Sequence, residues 1–399
     1  MKILVLSDLH AVLVDEVDTH EHSRLIVDDD GSGEFGDGLI GYIQSIDSKL
    51  DYIICCGDIA NRGQSRSFVA GWKFLNRLSF SFPGSKLICV PGNHDHQSRP
   101  DTTEDPTGFS PKHQLQFCEP SFPFDCFQKN THFWAWNWAI DSLADCNVLS
   151  LNTSAYHGYS DEYKHGRVSS ETINQICDFI ESDEYVPKPI NILVCHHHPQ
   201  RMEHAYEDYD GEQMSGGQSL VNALQEIDVG PWLVIHGHKH FACVSSTFSQ
   251  AQTPPIVFSA GSTSAKLYEG IKDKTSNQIY LLDIDISKTD QKERVVGKFK
   301  TYEYTMANGW LPSKSENLPA NSGFGSSKTA IDLISDIKSK LVDEPFLQEI
   351  DLIEINEELG YFTPREFVRL KTRIEKHNLI AEIDESHQKI IEIGYGNAH

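Results

Sequence analysis

The chain has 399 residues, of which 39% are hydrophobic and 23% charged, and its formal net charge is -24. The length suits more than one domain, and the composition is that of a globular protein. No stretch approaches the ~20 apolar residues of a membrane span, and so acidic a surface argues against a general nucleic-acid-binding role.

Read in chain order, Lys2–Leu6 is a buried strand entered directly from Met1, with no leader segment expected before it, and Ser7-Asp8-Leu9-His10 follows. Residues 15–38 are acidic and glycine-rich and read as a surface loop; His20 and His22 within it are expected to be solvated rather than metal-bound. A helix is predicted near 39–48. A second strand at 52–56 runs into Gly57-Asp58-Ile59-Ala60-Asn61-Arg62. The spacing of Phe68, Trp72 and Leu75 predicts a helix over 65–79 packed by those side chains. The strand at 86–90 stops at Pro91, which has no N–H for a ladder, and Gly92-Asn93-His94-Asp95 follows.

Residues 97–130 are irregular and form a candidate lid or substrate-selectivity insertion. Phe133–Trp138 alternates aromatic with smaller residues and reads as a half-exposed strand. Another strand is placed at 148–152 and a helix at 169–182. The strand at 191–195 leads to His196-His197-His198. A polar loop over 206–217 and a helix at 218–226 come next. The strand at 232–235 leads to His236-Gly237-His238-Lys239-His240. Strands at 256–259, 279–284 and 298–304 follow, and the turn Gly261-Ser262-Thr263-Ser264 is expected near the same place. Residues 311–327, rich in Ser, Asn, Pro and Gly, read as a linker. Helices are predicted at 328–341 and 363–377, the latter with Thr363 as N-cap and Pro364 at N1, and a hairpin at 379–393. Nine cysteines without a CxxC pair read as free thiols in a reducing cytoplasm. There is no internal repeat.

Five apolar strands thus each end in Asp, Asn or His. If they lie parallel in the fold, one edge gathers Asp8, His10, Asp58, Asn93, His196, His238 and His240, the edge at which open α/β sheets bind ligands. Imidazole, carboxylate and amide donors suit Mn, Fe, Zn, Co or Ni. Seven groups exceed the needs of one ion and fit two ions sharing one carboxylate.

Asp8-x-His10, Gly57-Asp58-x2-Asn61-Arg62, Gly92-Asn93-His94-Asp95, His196 and Gly237-His238-x-His240 resemble, in kind and order, the motifs of the calcineurin-like metallophosphoesterase superfamily. The resemblance spans roughly 8–240. It implies an α/β fold of two packed mixed β-sheets flanked by helices, here followed by a C-terminal helical and hairpin extension. It implies two divalent or trivalent transition-metal ions, Mn favoured: Asp8, His10, Asp58 and His240 for one, Asp58, Asn93, His196 and His238 for the other. His197 is the alternative to His196. The resemblance gives His94 the role of protonating the leaving oxygen or stabilising the transition state, with Asp95 placed to orient it. Arg62 reads either as a phosphate clamp or as a surface ion-pair partner.

The expected domains are 1–310 catalytic, 311–327 linker and 328–399 a C-terminal module without chemical motifs. The expected activity is hydrolysis of a small phosphodiester, a nucleotide or cyclic nucleotide, because each phosphate of a polymer would meet the acidic surface. A nuclease or a phosphomonoesterase or protein phosphatase is the runner-up, and a non-catalytic metal-binding module comes last. No membrane partner is expected, and a protein partner would dock on the C-terminal module.

Overall fold

Apolar residues run without alternation along the central strands because both faces of each are covered. In the computed structural model, Ile3 and Val5 point into one core with Ile54, Val90, Val194 and Ile235, while Leu4 and Leu6 point into another with Leu39, Ile53 and Phe74. The structure describes residues 1–16, 21–98, 110–158, 165–202, 213–247, 253–267, 269, 271–272, 274–342 and 344–396.

The first sheet has the order β14 (Gly309–Pro312), β13 (Gly297–Thr305), β12 (Asn277–Ile284), β1 (Lys2–Leu6), β4 (Tyr52–Cys55), β5 (Lys86–Cys89), and β15 (Asn321–Phe324) also pairs with β13. The second has the order β10 (Cys243–Ser246), β11 (Ile256–Ser259), β9 (Trp232–His236), β8 (Ile190–Val194), β7 (Cys146–Leu151), β6 (Trp138–Ser142). Helices α1 (Glu34–Ile46) and α2 (Ser65–Phe80) cover the outer face of the first sheet, and α5 (Ser170–Ile180) and α6 (Gly217–Glu226) that of the second. This is the expected sandwich. The strands β1, β4 and β5 are mutually parallel, as are β7, β8, β9 and β11, so the loops after them emerge on one edge. A short parallel pair, β2 (Val12–Leu13) and β3 (Ile26–Val27), lies beside that edge.

Several stretches differ from expectation: β3 and the first turns of α1 lie within the expected 15–38 loop. The aromatic run 133–138 is not a strand: α4 (Phe127–Trp136) ends there, Asn137 caps it at φ 66°, and only Trp138 opens β6. The alternating rings belong to two elements, and Trp134 is buried with Nε1 donating to the Phe122 carbonyl. The segment 311–327 is not a free linker either, because β15 within it pairs with β13 over Gly297–Lys300. Ser322 and Phe324 of β15 are buried, so the small residues here fit a packed strand rather than a free tether.

Of the expected lid, 99–109 lie outside the described residues, as do His20 and 203–212. The described remainder carries α3 (His113–Gln116) and packs on α2, with Phe122 edge-on to Phe68 and Trp72. All nine cysteines are free, and six are buried, as small hydrophobes would be.

Beyond α7 (Ile286–Lys292) and β15, the chain builds a fourth core, separate from the three of the sandwich. It comprises α8 (Ala330–Lys340), β16 (Phe346–Gln348), α9 (Ile353–Leu359), α10 (Pro364–Lys376), β17 (Leu379–Asp384) and β18 (Lys389–Tyr395). Leu333, Ile337, Leu352, Phe362, Leu370 and Ile393 fill it. It meets the sandwich through backbone bonds from Gly323 to Phe362 and from Ser326 to Tyr361, and through Lys288 and Lys292 paired with Glu357 and Glu358. Among the described residues no helix is long and apolar enough to cross a membrane.

Candidate metal centre

The five expected loops meet at one place. Donor atoms of Asp8, His10 and His240 lie within 4.8 Å of one another, as do those of Asp8, Asp58 and His196, and of His196, His197 and His238. The loop after β1 is tied to the loop after β4 by Asp8 N–H to the Gly57 carbonyl and His10 N–H to the Asp58 carbonyl. Six non-glycine residues here have left-handed backbone: Asp8, His10, Asp58, Arg62, His238 and His240, with φ between 49° and 78°. Such conformations cost roughly 1–3 kcal/mol each and persist only where surrounding structure enforces them. Alternation of left-handed residues in Asp8-x-His10 and His238-x-His240 turns both members of each pair inward. Close approach also depends on glycine: a Cβ at Gly92 would collide with Asp58, and one at Gly237 with Ser7 and Asp8.

Asp58 sits at the centre. Its Oδ2 lies 3.6 Å from His10 Nε2 and 3.4 Å from His196 Nε2, and its Oδ1 accepts the His94 N–H at 2.8 Å. To one side, His240 Nε2 is 3.2 Å from Asp8 Oδ1 and 3.3 Å from His10 Nε2. To the other, Asn93 Oδ1 is 3.0 Å from both His196 Nε2 and His238 Nδ1. Asp8 Oδ2 is fixed by the Ser7 hydroxyl and the His238 N–H.

The protonation pattern calls for a cation. His196 Nδ1 donates to the Cys56 carbonyl at 2.7 Å, so its Nε2 turns a lone pair toward Asn93 and Asp58 oxygens. Acceptors facing one another in a buried site repel unless a proton or metal lies between them. With only a proton to fill the gap, burial pulls His196 down, but Asp58 and Asp8 outweigh it and push it up to about 9. Burial would raise Asp58, but His196 and His94 hold its carboxyl well below the usual range. Burial drives His10 down to about 3 and keeps it a neutral donor. The donor set therefore fits transition-metal ions.

His94 is half-buried beside His10, ring centroids 4.7 Å apart. Asn61 Oδ1 stands 3.2 Å from its Nδ1, and the Arg62 N–H 3.3 Å. Asp95, expected to orient His94, instead places Oδ1 on the Ala60 N–H and Oδ2 on the Gly92 N–H, clamping the second and third loops together. Burial and the neighbouring Asp58 raise its carboxyl to about 8. Arg62 is exposed at the rim, and among the described residues no carboxylate pairs with its guanidinium.

Several supports were not legible in sequence. Asn61 carried no assigned role, although its place in the second motif was the available signal. The turn Ser262-Thr263-Ser264 does reach the site: Ser262 and Ser264 hydroxyls donate to the Asp8 and Leu9 carbonyls. A second layer of histidines lies behind the first. Thr153 Oγ1 is 2.7 Å from His197 Nδ1, His96 Nδ1 is 2.9 Å from the Gly92 carbonyl, and His157 Nδ1 is 3.1 Å from Ser98 Oγ.

The family model for calcineurin-like phosphoesterases matches residues 1–242. Among solved structures, the chain is similar to a purple acid phosphatase from yellow lupin (Lupinus luteus) seeds, at 13% identity and TM-score 0.48, covering 78% of this chain and 52% of that one. It is also similar to a candidate 5′-nucleotidase from Staphylococcus aureus, at 14% identity and TM-score 0.37, covering 86% and 58%. A 5′-nucleotidase precursor from Thermus thermophilus gives 11% identity and TM-score 0.32, covering 80% and 56%. The chain spans between half and three-fifths of the length of these three. No curated protein matches it by sequence.

Proposed function

The chain belongs to the calcineurin-like phosphoesterase family of metal-dependent phosphoester hydrolases, and from that premise we propose that it is a two-metal phosphodiesterase acting on a small nucleotide or cyclic nucleotide. The observation that carries the two-metal reading is Asp58 Oδ2, set between His10 Nε2 at 3.6 Å and His196 Nε2 at 3.4 Å with a donor cluster on either side. Asp8, His10, Asp58 and His240 would hold one ion, and Asp58, Asn93, His196 and His238 the other. His196 is preferred to His197 because it faces Asp58 and Asn93, while His197 Nδ1 is engaged by Thr153. Mn is favoured, with Fe, Zn, Co and Ni compatible with the same donors. Such ions supply Lewis acidity toward a phosphoryl oxygen and acidify water at neutral pH.

The chain's own residues supply the rest. His94, held through Nδ1 by Asn61, protonates the leaving oxygen. Asp95 fixes the spacing between its loop and the Asp58 loop. Arg62 offers a planar guanidinium to a phosphate oxygen at the open side. The net charge of -24 favours a substrate with few phosphates. Residues 1–310 are the proposed catalytic unit, and a reducing cytoplasmic setting suits nine free thiols.

The test is metal analysis and turnover together. Protein loaded with Mn²⁺ is expected to hold about two ions per chain and to cleave cyclic nucleotides and bis(p-nitrophenyl) phosphate. A metal content of one ion per chain would refute the shared-carboxylate assignment. Steeply salt-dependent cleavage of single-stranded DNA or RNA, with no turnover of the small esters, would make the nuclease reading correct.

A further inference from the structure

The C-terminal module has an order of elements that the catalytic reading does not use. Helix, strand, helix, helix and a two-stranded hairpin follow one another, and β18 lies between β16 and β17. Four residues, 360–363, join α9 to α10. This is the connectivity of a helix-turn-helix followed by a β-hairpin wing, in which the second helix is the one presented to a ligand. Connectivity alone does not assign a function. The surface of α10 does.

Helix α10 is begun by a capping box between Thr363 and Glu366, with Pro364 in its first turn. Phe367, Leu370 and Ile374 face the module's core. The opposite line, Arg365, Arg369, Thr372 and Lys376, is exposed at each position. Its spacing of four, three and four residues is one helix face. No carboxylate lies on that line: Glu366 is turned back to the Thr363 N–H, and Glu375 lies to one side. Residues 328–399 carry nine Lys or Arg and fifteen Asp or Glu, a formal -6, yet five of the nine cations are on α10. Among the described residues the module meets the sandwich through Glu357, Glu358, Tyr361, Phe362, Ser386 and Gln388, none of which lies on α10. The hairpin tip is acidic, with Asp384 and Glu385, and Lys371 pairs with Glu385 at 2.8 Å. An acidic tip repels phosphates, so contact with a polyanion falls to the helix.

We propose that the exposed face of α10 binds duplex DNA, with Arg369 and Lys376 on phosphates or base edges and Thr372 between them. A B-form major groove admits a helix, whereas that of A-form RNA is too narrow. This binding would be independent of the metal centre and would hold a small-ester hydrolase on DNA without making DNA its substrate.

The test uses the full chain, a labelled mixed-sequence duplex of about 30 base pairs, and fluorescence anisotropy in excess chelator. Two phosphate contacts predict a log–log salt slope of about -1.8, which is roughly 12-fold weaker binding at 200 mM than at 50 mM salt. Arg369→Ala with Lys376→Ala should reduce the slope by roughly 1.8 and leave turnover of bis(p-nitrophenyl) phosphate unchanged. Alanine is a strong helix former, so these exposed changes preserve α10. Asp58→Ala should bind the duplex as the unaltered chain does. Absence of binding at low salt, binding unaffected by the α10 changes, or loss of binding in Asp58→Ala would each overturn the proposal. Equal displacement by polyglutamate of matched charge would overturn it in favour of an acidic protein partner.

Discussion

The sandwich edge and the C-terminal module obey local rules to opposite degrees. At the edge, six non-glycine residues stand in left-handed backbone, carboxylates are fully buried, and imidazoles crowd one another. In the module, Thr329 and Thr363 head capping boxes, Pro364 opens α10, and the core is aliphatic and aromatic. Its left-handed non-glycine residues, Asn378 and Gln388, sit just past a helix end and in a hairpin turn, where such φ values are ordinary. Both regions are ordered by packed cores, so the difference is not one of stability alone. Strain and buried charge concentrate where donor atoms must converge, and the two sheets behind the edge enforce them.

If that contrast is functional, the sharpest way to break it is at Asp58. Asp58→Ala removes the carboxylate shared by both donor clusters and the acceptor for the His94 N–H. We expect loss of both bound ions and of all measurable phosphodiester hydrolysis, read by metal analysis and a chromogenic assay. Hydrolysis at the unaltered rate by this variant would show that the strained edge is not the site. His94→Ala is expected to keep its metal and lose roughly 10²–10⁴ in rate for an alkoxide leaving group, with a much smaller loss for nitrophenolate, which needs little protonation. Asn61→Ala, which leaves the His94 ring without its Nδ1 neighbour, should follow the same pattern at roughly a tenth of normal activity. Equal losses on both leaving groups would assign His94 to structure instead.

The same contrast decides what could be read in the sequence. The strands and their terminal Asp, Asn and His residues were legible because a doubly buried strand is apolar throughout and its end is abrupt. Thr363-Pro364 located α10 because capping chemistry is local. What escaped depended on long-range contact. Asp95 is adjacent to His94 in sequence, yet its oxygens serve Ala60 and Gly92 across loops. The layer of His96, His157 and Thr153 behind the ligands has no periodic signature, and its members are far apart in the chain. The Phe133–Trp138 run failed because a helix end and a strand start produced an alternation by accident. Helix α9 was missed: it has seven residues and is preceded by a 3-10 turn, which blurs its period.

The module's independence gives a third, smaller test. Leu370 is fully buried in its core, and Leu370→Ala should cost about 2–5 kcal/mol there. Hydrogen exchange should quicken at α8, α10 and β18 while metal content and small-diester turnover stay as they were. A chain ending at Ser327 keeps β15 paired with β13 and should still fold, bind metal and cleave the small ester. An insoluble or metal-free product would make residues 328–399 part of the catalytic core.

The smallest expected effect is a difference in acid sensitivity. Burial lowers His96 and His236 to about 4, His157 to about 3 and His198 to about 2, all in the sandwich. These imidazoles are neutral when folded, whereas in the unfolded chain each takes up a proton as pH falls through about 6.5. The unfolded state therefore binds more protons, and stability is lost as pH falls from about 6.5 toward about 4, where His96 and His236 begin to charge in the fold. His196 acts in the opposite sense while no metal occupies its lone pair. Its raised value of about 9 adds stability below 6.5 that fades as pH rises through 9. Asp95, its carboxyl raised to about 8, also favours the fold as pH falls, so two groups oppose these four and His10, which is lowered to about 3. Asp8 and Asp58, held below the ordinary carboxylate value, enter only below about pH 4. The module buries no histidine among its described residues. Metal-loaded protein taken from pH 7 to pH 5 should thus lose on the order of 1 kcal/mol per buried imidazole in the sandwich. Hydrogen exchange, corrected for intrinsic rates, should quicken in β8 and β9 relative to α8 and α10. Equal quickening in both regions would mean that the buried histidine layer does not set the acid limit of the fold.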